Sequence, residues 1–260
     1  MMPEPAKQFS SLPSELGFLK SQIWEPVAVG ESGSGIYHIG EYFLKITSAK
    51  TMGYADEATR LRWLQGRLPV PELHYAGVYE DFHFLLTSVV DGVNLVATSL
   101  TPQEKIMRYA QALRALHHLP IGDCPFVLSV DAQIERARQK VIRGKVRTDL
   151  FDPLYQGRAV QSMFDEMLSL RPTDLDPVVV HCDLYNDNFF VNAVTGELTG
   201  IIDVGAVGVA DRCTDFVVAL DDELVSDLGE TGRDLFFQAY GISRPDPKKM
   251  AFYHLLNEFF

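Results

Sequence analysis

Two short segments about twenty residues apart, H-C-D-L-Y-N-D-N (His181 to Asn188) and G-I-I-D-V-G (Gly200 to Gly205), constrain this chain more than any other feature. An apolar, β-rich run, Val178-Val179-Val180, leads into the first, and Leu198 to Ile202 carries the second. Runs of this length and composition predict strands. Asp183, Asn188 and Asp203 are thereby delivered to strand ends and to the loops beside them. Asp and Asn at such places are often turn formers that bond their own backbone. Turn chemistry accounts here only for the hairpin tip Val194-Thr195-Gly196-Glu197.

An Asp, an Asn five residues later and a second Asp beyond a hairpin suit phosphoryl transfer to a hydroxyl. Asp183 can accept the proton of the attacking alcohol, and Asn188 and Asp203 offer the hard oxygens that Mg²⁺ prefers. The order matches the kinase layout of a catalytic-loop Asp-x4-Asn followed by Asp-x-Gly.

The first third reads as a nucleotide lobe. Val27-Ala28-Val29, Gly35 to Ile39 and Tyr42 to Thr47 are short strand-like segments separated by Gly turns. G-E-S-G-S-G-I-Y (Gly30 to Tyr37) is neither a Walker A loop nor a full G-x-G-x-x-G, but its glycines permit close backbone approach to phosphates. Lys45 has a predicted acidic partner in Glu57, which opens a helix with Ala58, Leu61 and Leu64 on one face. A domain boundary is expected near residue 92, giving a nucleotide-binding lobe (1–91) and a catalytic and substrate-binding lobe (92–260). Past it, T-P-Q-E (Thr101 to Glu104) is a capping box with Pro at the first helical position. It opens a helix with Ile106, Ala110, Leu113 and Leu116 inward, and His117 and His118 are read as packing or partly exposed groups. Further helical patterns cover Val160–Leu170, Asp215–Leu224, Arg233–Tyr240 and Lys248–Phe259.

Composition narrows the partners. The net charge of −12 opposes nucleic acid and suits a cationic small molecule. A hydrophobic fraction of 47% in 260 residues supports a folded core, and no run approaches membrane-spanning length. The first ten residues lack a signal-peptide apolar core, and three cysteines without metal-ligand spacing suit a reducing cytoplasm. A monomer or weak homodimer is expected.

The segments His181–Asn188 and Gly200–Asp215 resemble the aminoglycoside phosphotransferases, a family with a protein-kinase-like fold. The closing G-I-S-R-P-D-P-K-K-M-A-F-Y-H-L-L-N-E-F-F resembles the 3′-phosphotransferase branch in particular. So do D-C-P-F (Asp123 to Phe126), D-E-A-T-R-L-R-W-L (Asp56 to Leu64) and the hinge-like F-L-L-T-S-V-V-D-G (Phe84 to Gly92). The resemblance runs from about residue 24 to the last residue. It implies an α+β, two-lobed fold with a small β-rich N-lobe and a mainly helical C-lobe. It also implies transfer of the γ-phosphate of ATP or GTP, with Mg²⁺, to a sugar hydroxyl of an aminoglycoside, giving antibiotic resistance.

Residue by residue, the resemblance places Ser32 on a phosphate, Phe43 against the adenine and Lys45 toward the α/β-phosphates. Ser88 to Val90 would offer backbone groups to the base. Asp149 and Asp152 would form an acidic pair for the substrate, with Asp227 in a second acidic element and Glu258 and the Phe260 carboxylate closing the site. The chain departs from the pattern at Cys182, where Gly is usual, at Ala206, where Arg is usual, and at Ser226 and Asn257, where acids are usual. Two other classes stay open: a kinase for another hydroxyl, such as streptomycin at its 3″ position, and a non-catalytic nucleotide binder.

Overall fold

A computed structural model describes residues 12–27, 35–49 and 54–260. Contacts between Cα atoms divide the chain into two compact units. The first comprises Met1–Val93, Phe190–Asn192 and Leu198–Ala206, and the second Asn94–Phe189, Ala193–Glu197 and Val207–Phe260. The boundary expected near residue 92 is therefore crossed by two later segments, and Asp203 belongs to the first unit.

The first unit is built on an antiparallel sheet of β1 (Glu25–Val27), β2 (Gly35–Ile39), β3 (Tyr42–Ser48), β4 (Leu73–Tyr79) and β5 (Phe82–Ser88), in the order β1-β2-β3-β5-β4. Leu44 and Ile46 alternate inward on β3 and meet Ile39, Phe84 and Leu86. Leu16 and Leu19, from a 3₁₀ segment spanning Ser14–Ser21, complete that core with Trp24, whose indole N–H donates to Leu19 O at 2.9 Å. Phe43 and Lys45 are one residue out of phase with Leu44 and Ile46, so strand geometry turns them to the opposite face. The helix α1 (Tyr54–Leu64) lies against β4 and β5 and buries Glu57, Ala58, Leu61 and Leu64.

In the second unit the capping box forms as read. Glu104 N–H donates to Thr101 Oγ1 at 3.3 Å, and Thr101 N–H donates to the Glu104 carboxylate at 2.8 Å. It opens α2 (Pro102–His117), whose inward stripe adds Tyr109 to the predicted residues. Next comes α3 (Val130–Ile142), capped by Ser129 and not anticipated from the sequence, then α4 (Val160–Ser169). A small sheet of β6 (Val93–Asn94), β8 (Phe189–Val191) and β9 (Leu198–Ile201), in the order β6-β8-β9, falls mostly in the first unit. β7 (Pro177–Val180) instead pairs antiparallel with β10 (Gly208–Asp211).

The single helix expected over Asp215–Leu224 is two: α5 (Cys213–Asp221) and the short α6 (Glu223–Ser226). The chain breaks at Asp222, which has extended ψ and caps α6 through a 2.9 Å bond from Leu224 N–H. α7 (Gly229–Tyr240) and α8 (Pro247–Asn257) follow. Edge-to-face aromatic contacts join α2, α5 and α7, with Tyr109–Phe236 centroids 5.9 Å apart and Phe216–Tyr240 centroids 4.9 Å apart.

Gly232 lets α7 lie directly on the carbonyl of Val225, which an added Cβ would overlap. Gly232→Ala is expected to cost about 1–3 kcal/mol by overpacking. Urea unfolding of the two proteins measures this, and an unchanged midpoint would contradict the packing described.

Candidate active site

Each half of the predicted site is formed within one unit. In the first unit, Lys45 Nζ lies 2.9 and 3.1 Å from the two Glu57 oxygens and also contacts Asp203 Oδ1. The Glu57 and Lys45 side chains are 9% and 15% exposed, whereas Asp203 is 49% exposed. Burial disfavours the Lys45 ammonium, but Glu57 and Asp203 outweigh it and hold the pKa above its ordinary range. Burial pushes Glu57 upward, opposed by Lys45. Three features bring the group together: the out-of-phase position of Lys45 on β3, the first turn of α1, and a 3₁₀ turn at Val204–Ala206 packed on α1. A Cβ at Gly205 would lie 3.6 Å from Glu57 Cβ, an ordinary contact, so the turn packs on α1 at normal van der Waals distance.

In the second unit, residues 181–188 form a loop held almost entirely through its backbone. The buried Asp215 accepts His181 N–H at 2.8 Å on one oxygen and Cys182 N–H at 2.7 Å on the other. His117 Nε2 lies 3.0 Å from the same carboxylate, and its Nδ1 lies 2.8 Å from the Tyr240 hydroxyl, consistent with a packing role. Leu184 O accepts the Tyr109 hydroxyl, a phenol that burial first, and then nearby carboxylates, keep protonated. Asp222 accepts Asn186 N–H at 2.6 Å and its amide at 2.8 and 3.0 Å. Asp183 is exposed on this loop.

Asn188 Nδ2 donates to Asp183 O at 2.8 Å, which commits the nitrogen end of that amide and leaves Oδ1 as its acceptor. The Asn188 amide oxygen in the second unit and the Asp203 carboxylate in the first are each hard-oxygen donors of the type that Mg²⁺ accepts, so the chemistry of each residue fits the metal. Cys182 (φ 75°) and Asp203 (φ 55°) adopt the left-handed region that non-glycine residues avoid. Strain of this kind persists where surrounding bonds over-determine the chain, and it concentrates at functional sites.

The remaining predicted residues divide. Ser32 lies outside the described residues. Phe43 packs on His38 with centroids 5.0 Å apart. Ser88 is the last residue of β5 and not part of a linker; its N–H donates to Glu72 O at 2.9 Å and its hydroxyl accepts Glu72 N–H at 2.9 Å, so that N–H is committed to the sheet. Val90 packs against Gly200.

Among the substrate acids, Asp152 and Glu258 meet, with Asp152 N–H donating to Glu258 Oε2 at 3.0 Å. Asp149 is exposed and forked to Arg147, whose hydrogen bonds hold its carboxyl below the usual range. Asp227 ends α6 in an exposed position. Phe260 O accepts Lys140 Nζ at 3.0 Å, and Arg136 and Lys140 lie over its ring. The sequence reading singled out neither Asp221 nor His254, which join Asp152 in one group of side-chain donors. It also assigned no role to Asp222 and Tyr109. No local signal pointed to Asp222 or to His254.

Asp215→Asn would turn an amide NH₂ toward backbone N–H donors, a loss of about 2–3 kcal/mol for a buried unsatisfied group. Denaturant unfolding measures it, and wild-type stability in the variant would remove Asp215 as the anchor of the loop.

The sequence profile of the phosphotransferase enzyme family matches residues 23–253. An aminoglycoside 3′-phosphotransferase of Streptomyces fradiae is 34% identical over 256 residues, covering 91% of this chain and 95% of that protein. The crystal structure of an aminoglycoside-3′-phosphotransferase of type VIII superposes with a TM-score of 0.83 at 31% identity, covering 99% of this chain and 98% of the other. An aminoglycoside phosphotransferase from Streptomyces rimosus, in complex with ADP and streptomycin, shares the fold with a TM-score of 0.76 at 22% identity and full coverage of both chains. The α+β, kinase-like architecture is that of these proteins, and the chain belongs to the phosphotransferase enzyme family, among its aminoglycoside 3′-phosphotransferases.

Proposed function

We propose that the protein transfers the γ-phosphate of ATP or GTP to the 3′-hydroxyl of an aminoglycoside, in the cytoplasm, and thereby confers resistance. The observation that carries the reading is the loop at residues 181–188, whose backbone is fixed by Asp215, Tyr109 and Asp222 while the Asp183 carboxylate stays exposed. Asp183 accepts the hydroxyl proton as the alcohol attacks, a role that needs a positioned base more than a strong one. Lys45, kept charged by Glu57 and Asp203, supplies fixed positive charge to the nucleotide phosphates. Asn188 and Asp203 would hold Mg²⁺, which when bound neutralises phosphate charge that builds during transfer. Phe43 and Val90 are the residues we assign to the base, and Asp152 and Glu258 to the ammonium groups of the acceptor. Their carboxylates suit a polyamine sugar, in keeping with the net charge of −12.

Incubation with Mg-ATP, and separately Mg-GTP, and kanamycin, followed by ³¹P NMR of the product, tests the reading; phosphate at the 3′-hydroxyl is the expected result. Asp183→Ala should lower kcat by about 10²-fold or more, the scale of a general base, with nucleotide affinity little changed. Undiminished turnover in that variant would remove Asp183 from the chemistry. Phosphate on streptomycin alone would replace the acceptor.

A further inference from the structure

Beside Asp152 and Glu258 sits a titratable side chain that belongs to the protein itself. His254, on α8, places Nε2 3.2 Å from Asp221 Oδ2 at the end of α5 and Nδ1 3.2 Å from the Tyr155 hydroxyl. Its ring meets that of Tyr155 edge-on with centroids 5.0 Å apart. Donor atoms of Asp152, Asp221 and His254 all lie within 4.8 Å of one another, and each residue is partly exposed. This group lies near the catalytic loop. Asp222, the next residue after Asp221, is bonded to Asn186, three residues past Asp183. Tyr185, on the same loop, is raised to about 12, first by burial and then by Asp183, Asp221, Asp222 and Glu258.

We propose that His254 is a positioning residue of the acceptor pocket, its imidazolium pairing with Asp221 in the place that a substrate ammonium takes, so that acceptor affinity depends on whether His254 is charged. The proposal rests on the reading of the chain as an aminoglycoside kinase. The groups facing His254 are predominantly acidic: Asp221 from α5, Asp152 and Tyr155 from the loop before α4, and Glu258 at the end of its own helix. Arg158 lies on Tyr155, 5.6 Å from the ring centre, and Lys140 and Arg136 of α3 are engaged with Phe260. Burial alone would lower the His254 pKa, but Asp221, with Asp152 and Glu258, outweighs it and holds the group above its ordinary value of 6.5.

Below that raised value His254 is charged, neutralises Asp221 and repels a polycation. As pH rises through it the charge is lost and Asp221 becomes available to an ammonium. Affinity for kanamycin should therefore strengthen with rising pH, and by linkage bound kanamycin should lower the His254 pKa.

The experiment is calorimetric titration of the full chain with kanamycin from about pH 5.5 to about pH 8.5, a range that spans an ordinary histidine. ADP binding is followed in parallel as a check on folding. Wild type should gain about fivefold more affinity across this range than His254→Gln, the scale of one charge pair near a wet surface, and comparing the two removes the titration of the drug's own amines. Asp221→Asn should weaken binding at the high end. Parallel pH curves for wild type and His254→Gln would overturn the proposal while leaving the acceptor reading intact. Binding of ADP without any binding of kanamycin would overturn both. Should His254→Gln fail to fold, ¹⁵N NMR of the wild-type imidazole decides: a pKa lowered by about one unit in the kanamycin complex supports the proposal, and an unmoved one overturns it.

Discussion

The carboxylate of Asp215 holds the loop at residues 181–188 in place. It is buried at the start of α5, and each of its oxygens accepts one of two successive backbone N–H groups, those of His181 and Cys182. A chain whose consecutive N–H groups point to one acceptor cannot continue as a strand. β7 must end at Val180, and the next residues turn, with Cys182 at φ 75°. Burying a carboxylate costs several kcal/mol unless its lone pairs are filled. Two backbone donors and His117 fill them here, and His117 is tied in turn to Tyr240. The aromatic packing of α2, α5 and α7 thus reaches the loop through one polar anchor, with Tyr109 and Asp222 fixing the same loop further along.

This arrangement explains why the loop tolerates Cys182. A left-handed non-glycine residue costs about 1–2 kcal/mol. Two charge-assisted bonds from Asp215 flank that position, and each is worth about 1.5–3 kcal/mol. The anchor outweighs the strain, and the side chain rests on the Val178, Val180 and Ala210 cluster. The bulkier residue at Cys182 is therefore accommodated without unmaking the geometry that exposes Asp183.

What the sequence made legible follows from how local each signal is. Lys45 and Glu57 were readable because strand period and helix start are short-range patterns, and the structure joins them at 2.9 Å. The Thr101 capping box is legible for the same reason. The break at Asp222 was not, because an apolar helical pattern runs through it; only the demand of Asn186, 36 residues earlier, for a buried acceptor interrupts the helix. α3 was missed, although Ser129 caps it as Thr101 caps α2. Asp149 and Asp152, an acidic pair by resemblance, find different partners: Arg147 forks onto Asp149, while Asp152 N–H donates to Glu258. His254 and Asp221 carried no local mark, since their meaning lies in a contact between helices.

Charge balance connects the departures to the chemistry. In the first unit one ammonium, Lys45, is shared by two carboxylates, Glu57 and Asp203, and Ala206, where the resemblance places an Arg, adds no positive charge. The group carries an excess of one negative charge, and the half-exposed Asp203 holds the part that Lys45 and Glu57 do not settle between them. Such an excess favours a divalent cation and disfavours nucleotide phosphates bound without one. In the second unit the excess is met differently: His254 stands among Asp152, Asp221 and Glu258 as a titratable counter-charge. A polycationic acceptor can replace a histidine charge at little cost near neutral pH, whereas it would have to outcompete a lysine or arginine at every pH. On the proposed reading, the first negative field is held ready for a metal by a permanent cation and the second for an ammonium by a cation that pH can remove.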